Sequence, residues 1–255
     1  MKMNMEKETQ SDECTCCKKF SLIVPMMSES FLPKELVETN GCMACLEAIE
    51  LMPLADFSDI YFVYMRKDEE RRCVSSRIKA AFAYHYHDEI PLERLHFIIF
   101  DEMTANQPET VYNAIKTANI TGPIFIKDAD NKCAFDVALT PTNQVCVYNL
   151  EECDVVMPTH KSYVAVDDNM YITNIIENRV VSNLFNCGGY CFEDASLFAQ
   201  AYDEVSIQYV GDEHLYMSNI VYYLIFFYNK VFRPIICSRY DDFVLSKYCK
   251  NLLRY

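Results

Sequence analysis

The feature that most constrains this chain is a regular alternation of short apolar runs with segments that carry apolar residues at helical spacing. Buried strands are predicted for four apolar runs: residues 20–25 (FSLIVP), 59–65 (DIYFVYM), 95–101 (LHFIIFD) and 123–127 (PIFIK). Helices are predicted for the three segments between them: residues 42–52, 69–86 and 109–118. Such strand–helix–strand units fold into a right-handed, mostly parallel sheet with helices on both faces. The sequence therefore predicts an α/β, Rossmann-like fold.

The second half of the chain is less regular, and we expect it to extend the same sheet. Strands are predicted at residues 162–166, 171–176, 189–192 and 235–237. Helices are predicted at residues 194–202 and 216–228, with a last one starting near Val244. No linker rich in Pro, Gly or Ser interrupts the pattern. A single domain is therefore expected over residues 20–255, after a mobile tail over residues 1–19 that lacks apolar periodicity.

Composition and charge exclude several classes of protein. Apolar residues make up 51% of the 255 residues, which is incompatible with a disordered chain. The net charge of -14 repels phosphate backbones and anionic lipids, so binding to nucleic acid or to a membrane is not expected. The longest apolar run, residues 220–228, is half of the ~20 residues that span a bilayer. A phosphate-bearing ligand should therefore be small and held through a divalent cation.

The thirteen cysteines indicate a reducing compartment, and a cytoplasmic protein is predicted. Their share lies below that of disulfide scaffolds, and their number is odd. Cys42 and Cys45 form a CxxC pair, and Cys14, Cys16 and Cys17 precede it, but the spacing shows no second pair suited to zinc. The thiols are therefore predicted to be structural, because a free cysteine behaves as a small buried hydrophobe.

The clearest candidate for a chemical site is the segment after the run PIFIK. Asp128 and Asp130 stand two residues apart at the carboxyl end of a predicted strand, where ligands of α/β sheets bind. Two carboxylates in this arrangement can converge on a hard cation such as Mg²⁺ or Mn²⁺. An acidic turn without a metal is the alternative, since Asp and Asn favour turns.

The loop after the first strand is poor in glycine. No glycine occurs between Pro25 and Gly41, and the whole chain has only 5. A dinucleotide fingerprint and a P-loop are therefore both absent from the sequence, which argues against dehydrogenases and P-loop kinases.

Five segments in order resemble the sugar nucleotidyltransferases, a family with the fold of nucleotide-diphospho-sugar transferases, also called GT-A-like. The segments are Pro25-Met26 with residues 33–41 (PKELVETNG), residues 101–110 (DEMTANQPET), residues 127–131 (KDADN), the sugar-side group 162–164, 176–178 and 188–192, and residues 238–243 (SRYDDF). The resemblance covers about residues 20–255.

The resemblance implies an enzyme that joins a nucleoside triphosphate and a sugar 1-phosphate to give a nucleotide-sugar and pyrophosphate. Magnesium or manganese would be held by Asp130 and Asp242, and Lys34 would offset the charge on the transferred phosphoryl group. The resemblance also assigns further residues to the substrates. Met26, Gln107 and Asp128 would bind the nucleotide, and Glu177 and Gly189 would bind the sugar. Because Asp242 lies more than a hundred residues after Asp130, the fold must bring the two together.

Several positions depart from the family pattern. The glycine-rich loop is replaced by residues 26–31, Asn178 stands where the family has a lysine, and Asn106 stands where it has a glycine. Two alternatives therefore stay open. One is a catalytically inactive relative that binds a nucleotide-sugar or a protein partner. The other is a metal-dependent glycosyltransferase, because Asp128-x-Asp130 also resembles the metal motif of that group.

Overall fold

The computed structural model describes residues 19–27, 36, 38–39, 42–86, 90–153, 157–209 and 214–243. Three predictions fall wholly or largely outside these ranges: the tail, of which only Lys19 is described, the role of Lys34, and the helix starting near Val244.

The first half of the chain alternates strands and helices as its apolar pattern predicts. In chain order its elements are β1 (Phe20–Pro25), β2 (Glu38–Thr39), β3 (Cys42–Met43), α1 (Ala44–Glu47), β4 (Phe57–Met65), α2 (Arg66–Arg72), α3 (Val74–His85), β5 (Leu95–Phe100), α4 (Gln107–Ala118) and β6 (Ile124–Lys127).

The second half is richer in strands than its sequence pattern indicates. Its elements are β7 (Asn131–Ala134), β8 (Gln144–Asn149), β9 (Tyr163–Val166), β10 (Ile172–Ile176), β11 (Leu184–Phe192), α5 (Ala195–Ser206), α6 (Met217–Tyr228), β12 (Arg233–Ile236) and β13 (Arg239–Asp242). Within the described ranges, no helix is long and apolar enough to cross a bilayer.

Nine of the described strands form one mixed sheet in the order β10-β9-β11-β6-β1-β4-β5, with β8 paired to β11 and β12 paired to β8. Its centre is parallel: β1 runs parallel to β4 and β6, and β4 runs parallel to β5. Strand β11 is antiparallel to β6, β8 and β9, so the second half joins the sheet in the opposite direction. A separate antiparallel ribbon is formed by β7 and β13.

Both faces of the sheet are covered, because the residues of its central strands alternate between two apolar clusters. In β1, Leu22 and Val24 pack on one face and Ile23 packs on the other. Helix α3 covers the first face, whereas α4, α5 and α6 cover the second. This confirms the predicted α/β fold with helices on both faces of the sheet.

Two predicted helices differ from the structure. Residues 42–52 contain one helix, the single-turn α1. Met43 offers no side-chain cap at the start of this helix, and Pro53 disfavours helical backbone in the residue that precedes the proline. Residues 69–86 hold two helices that break at Cys73, whose φ of 50° is left-handed. The Glu69 carboxylate joins them by accepting hydrogen bonds from the backbone N–H and the hydroxyl of Ser75.

The predicted strands of the second half were incomplete. Strands β7 and β8 were missed, and β11 begins at Leu184 although a start at residue 189 was predicted. Residues 239–242, which follow the predicted strand 235–237, form the further strand β13. Short strands at such positions owe their existence to pairing with distant partners, which local sequence patterns do not contain.

Candidate active site

A cleft of about 480 Å³ lies at the carboxyl ends of β1, β5 and β6, the edge where α/β sheets bind ligands. Its lining includes Pro25, Met103, Gln107, Asp128 and Asp130. A second cavity of about 180 Å³ shares Gln107, Asp128 and Asp130 with the first and continues toward the second half of the sheet. The two cavities therefore form one groove with a larger end and a smaller polar end.

Gln107 is held at the larger end by the start of α4. Asn106 is the N-cap of that helix, and its side-chain oxygen accepts a hydrogen bond of 3.0 Å from the Glu109 backbone N–H. Gln107 follows directly, and its Nε2 donates to Asp128 Oδ1 at 2.6 Å. The backbone of Asn106 is extended, with φ at -157°, so asparagine replaces the family's glycine without strain.

The loop that carries Asp128 and Asp130 is folded around the buried ammonium group of Lys127. Lys127 Nζ donates to Asp128 O at 2.9 Å, to Asn131 O at 3.0 Å and to Asn131 Oδ1 at 2.7 Å. Such charge-assisted hydrogen bonds are stronger than neutral ones. Lys127 therefore fixes the loop from below while the carboxylates of Asp128 and Asp130 stay partly exposed to the cleft.

Gly188 supports the same loop from the neighbouring strand β11. Its carbonyl accepts a hydrogen bond of 2.8 Å from the Asp128 backbone N–H, and its φ is +76°. A Cβ atom at Gly188 would lie 2.5 Å from Asp128 Oδ2, so only glycine fits. Gly189, which the resemblance assigned to the sugar, instead lies against the core, where a Cβ would be 2.6 Å from Cys146 Sγ.

The ribbon of β7 and β13 brings Asp242 to Asp130. Asp242 lies opposite Asn131 in this ribbon, and the backbone N–H of Phe243 donates to Asp130 O at 3.2 Å. Both carboxylates act on Tyr240, whose pKa is raised by burial and then by the charges of Asp242 and Asp130. Two residues that are distant in the sequence are thus neighbours at the cleft.

Lys161 is a site residue that the sequence did not reveal. Its Nζ donates to Asp242 Oδ2 at 3.0 Å and also to the Tyr240 hydroxyl. The Tyr240 hydroxyl in turn donates to Asp242 Oδ2 at 3.2 Å. Lys161 also lies beside Asn178, whose backbone N–H donates to Lys161 O at 3.0 Å. An ammonium group is therefore present near the position where the family pattern has a lysine and this chain has Asn178.

Glu177, which the resemblance assigns to the sugar, lines the polar end of the groove. Its Oε2 accepts hydrogen bonds from the hydroxyl groups of Ser162, at 2.6 Å, and Ser218, at 2.7 Å. Tyr190 lines the same end, and burial followed by the charges of Asp128 and Glu177 raises the pKa of its phenol. The Tyr190 hydroxyl therefore keeps its proton at neutral pH.

The side chain of Met26 is fully buried in the core, and its backbone N–H donates to Val63 O at 2.8 Å. Its neighbours Pro25 and Met27 line the cleft instead. The structure thus brings together six of the eight residues singled out from the sequence. Four of them line the groove: Asp128, Asp130, Gln107 and Glu177. Asp242 lies next to it, bound to the lining residue Lys161, and Gly189 lies one residue from it.

The residues at this edge suit a hard divalent cation whose remaining ligands come from a substrate. In the part of the chain that the structure describes, no group of three carboxylate or imidazole ligands lies within 4.8 Å. Asp130 and Asp242 alone are therefore too few for a complete protein cage. Mg²⁺ is commonly bound by one or two carboxylates together with substrate phosphates and water, and this donor set matches that pattern.

The sequence matches no protein-family model and no curated protein sequence. Solved structures, in contrast, match it over nearly its whole length. A nucleoside-diphosphate-sugar pyrophosphorylase from Vibrio cholerae RC9 is 15% identical with a TM-score of 0.68, over 91% of this chain and 100% of that one.

Two further structures show the same likeness. A UDP-glucose pyrophosphorylase complexed with UDP-glucose is 12% identical with a TM-score of 0.65, over 92% of this chain and 98% of that one. The inositol-1-phosphate CTP transferase from T. maritima is 9% identical with a TM-score of 0.64, over 88% of this chain and 89% of that one. The chain therefore has the GT-A-like fold of nucleotide-sugar pyrophosphorylases and nucleotidyltransferases, which confirms the resemblance at the level of the fold.

Proposed function

We propose that this protein is a metal-dependent sugar-phosphate nucleotidyltransferase. A phosphate oxygen of a sugar 1-phosphate would attack the α-phosphorus of a nucleoside triphosphate, the bond from the α-phosphorus to the bridging oxygen would break, and pyrophosphate would leave. The products are a nucleotide-sugar and pyrophosphate. None of the nine cysteines that the structure describes forms a disulfide, which fits a reducing compartment, and we propose that the reaction takes place in the cytoplasm.

The observation that carries this proposal is that β13 brings Asp242 beside Asp130: Asp242 pairs with Asn131, the Phe243 backbone N–H donates to Asp130 O, and Asp130 lines both parts of the groove. A local acidic turn would explain Asp128 and Asp130 but gives no reason for a third carboxylate from a distant strand. Phosphoryl transfer depends mainly on positioning and charge neutralisation, and this arrangement supplies both.

Mg²⁺ or Mn²⁺ bound to Asp130 and Asp242 would supply the positive charge that neutralises the α-phosphate and the attacking phosphate. The side chains of this chain would position the reactants. Gln107 and Met103 line the larger end, where the nucleotide would lie, and Asp128 would orient Gln107 through its hydrogen bond. Lys34, assigned by the resemblance, would act on the transferred phosphoryl group.

The polar end would take the sugar 1-phosphate. Glu177, fixed by Ser162 and Ser218, would accept a hydrogen bond from a sugar hydroxyl. Lys161 is held by Asp242 and would attract the sugar phosphate to the metal-binding edge. In this way Lys161 would take the part of the lysine that Asn178 replaces.

The test is a measurement of pyrophosphate. The protein is incubated with Mg²⁺, each nucleoside triphosphate in turn and a panel of sugar 1-phosphates. Pyrophosphate release that requires both substrates is expected, and Asp242→Asn should abolish most of it. Asp241→Asn is the matched control, because Asp241 lines a separate cavity beside Lys132 and Arg239.

Two other outcomes would replace the proposal. Transfer of sugar from a nucleotide-sugar to an acceptor, without pyrophosphate, would identify a glycosyltransferase. Binding of nucleotide-sugar without any turnover would identify a catalytically inactive relative, the alternative suggested by the glycine-poor segment 26–31.

A further inference from the structure

Four cysteines from four separate strand regions meet in the core below the candidate active site. Cys133 is in β7, Cys146 in β8, Cys187 in β11, and Cys237 directly follows β12. Their exposed fractions are 0%, 0%, 1% and 3%. Along the chain, 12, 40 and 49 residues lie between successive members of the group, so no short sequence motif predicts it.

Three of the four sulfur atoms of this thiol cluster are close enough to share one ion, and the fourth lies beside them. The Sγ atoms of Cys133, Cys146 and Cys237 all lie within 4.8 Å of one another. Cys187 Sγ is 3.3 Å from Cys237 Sγ, but Cys187 is outside the group of three whose sulfurs all lie within 4.8 Å of one another. Four sulfurs at about 2.3 Å from a central Zn²⁺ stand roughly 3.8 Å apart along each tetrahedral edge. The sulfurs of Cys133, Cys146 and Cys237 are therefore spaced closely enough to bind one ion, and a small movement of Cys187 toward them would complete a tetrathiolate site.

We propose that Cys133, Cys146, Cys187 and Cys237 bind one structural zinc ion. Tetrahedral sulfur ligation favours Zn²⁺ among the common divalent cations. On binding, each thiol would lose its proton to solvent and the four sulfurs would bond to the metal, with no change in oxidation state. This proposal differs from the sequence-based expectation that the thiols serve only as small core residues, and it does not depend on the proposed function.

One neighbouring glycine makes room for the thiol cluster, and one neighbouring charge favours a metal site over ordinary core packing. Gly189 leaves the space that Cys146 occupies, since a Cβ at that position would lie 2.6 Å from Cys146 Sγ. The buried ammonium group of Lys127 acts electrostatically on Cys133. A zinc ion with four thiolates carries a net charge of about -2, and a buried cation would offset part of that charge.

The position of the thiol cluster suggests what the zinc would do. Cys133 lies three residues after Asp130, Cys237 lies five residues before Asp242, and Cys187 precedes Gly188. The zinc would thus tie the β7–β13 ribbon, which carries Asp242, to β8 and β11 of the main sheet. It would position the carboxylates at the cleft without contacting a substrate.

The test measures metal content rather than activity, so its failure is distinct from failure of the proposed function. Full-length protein is produced without a metal-affinity tag, refolded with Zn²⁺ under reducing conditions and dialysed. Elemental analysis is expected to give one zinc per chain, and the native mass should exceed the denatured mass by one zinc ion. A zinc content well below one per chain would overturn the proposal, as would a denatured mass two hydrogens lower because Cys187 and Cys237 had formed a disulfide.

Variants locate the ion. Cys187→Ser and Cys237→Ala should each lose the zinc. Cys191→Ala should keep it, because Cys191 is a buried thiol of the same strand β11 whose Sγ donates to Thr140 O instead. Cys42→Ser and the combined change Cys14→Ser, Cys16→Ser and Cys17→Ser should also keep it. Zinc lost from these last variants and retained by Cys187→Ser would place the ion elsewhere and refute the proposal.

A spectroscopic measurement on the unmodified protein covers the case in which the core variants do not fold. Protein refolded with Co²⁺ in place of Zn²⁺ should show the intense visible and near-ultraviolet absorption of tetrahedral thiolate ligation. A spectrum without sulfur-to-cobalt charge transfer would contradict the proposal, since oxygen or nitrogen ligands would then hold the metal.

Discussion

Two groups of candidate metal ligands lie close together around the β7–β13 ribbon, and they differ in almost every physical property. Asp130 and Asp242 offer hard oxygen atoms and are partly exposed, and Asp130 lines an open groove. The thiol cluster offers soft sulfur atoms and is at most 3% exposed. The carboxylates leave places for substrate phosphates, whereas the thiols can surround an ion completely.

The comparison indicates a division of tasks within one short stretch of backbone. Side chains of β7 and its neighbours that face solvent can serve a cation that arrives with a substrate and exchanges at every turnover. Those that face the core can serve a cation that enters during folding and stays. Accessibility, rather than distance along the chain, would decide which metal binds where.

Removal of loosely bound metal should separate the two groups most strongly. With a chelator present, nucleotide affinity should fall below detection, because a bare triphosphate is repelled by Asp128, Asp130 and Asp242. The proposed zinc should stay in the same folded sample, since its ligands are buried. Nucleotide titration with and without chelator, followed by elemental analysis, checks both halves. Equal nucleotide affinity in the two titrations would exclude the carboxylate metal site.

Changes at the carboxylates should have the next largest effect. Asp130→Asn and Asp242→Asn should each lower turnover about 100-fold, on the order of 3 kcal/mol of transition-state stabilisation. The loss of transition-state stabilisation in the double variant should be clearly smaller than the sum of the losses in the two single variants, because either change alone disables a shared ion. The check is the rate of pyrophosphate release, with Asp241→Asn as the control. Additive losses would mean that the two carboxylates act separately.

Two glycines test how tightly the loop of the carboxylate site is packed. Gly188 and Gly122 have nearly the same φ, +76° and +75°, but a Cβ at Gly122 would meet nothing within 4 Å. Gly122→Ala should therefore cost about 1 kcal/mol of unfolding free energy from backbone strain alone. Gly188→Ala should cost about 3 kcal/mol, because its Cβ also collides with Asp128 and Asn131. Urea denaturation of both variants measures the difference. Equal losses of unfolding free energy would show that the loop adjusts to the added methyl group.

Lys161 should give the smallest effect of the four. Lys161→Met is expected to raise the KM for the sugar phosphate about 10-fold, equivalent to about 1.4 kcal/mol, with little change in nucleotide affinity. Lys230→Met is the matched control, because Lys230 pairs with Glu193 instead. The test is steady-state kinetics in which the concentration of each substrate is varied in turn. A larger effect on nucleotide affinity than on the sugar phosphate would assign Lys161 to the triphosphate.

The first half of the chain was largely predictable from its sequence because its strands are continuous apolar runs buried on both faces of the sheet. The runs that contain β1, β4, β5 and β6 identified those strands to within two residues at each end. Predictions were poorer for elements whose pairing or capping depends on residues far away in the sequence. Strand β7 has four residues, and it exists through its pairing with β13 more than a hundred residues later.

The sequence by itself determined the α/β class, the position of Asp128 and Asp130 at a strand end, and the resemblance that pointed to Asp242. Only the tertiary structure showed that Lys161 reaches Asp242, that Gly188 rather than Gly189 borders the cleft, and that four dispersed cysteines converge. Hydrophobic periodicity is a local property and can therefore be recognised in a single sequence. Contacts across a sheet are set by strand order and register, which depend on how all the elements pack together.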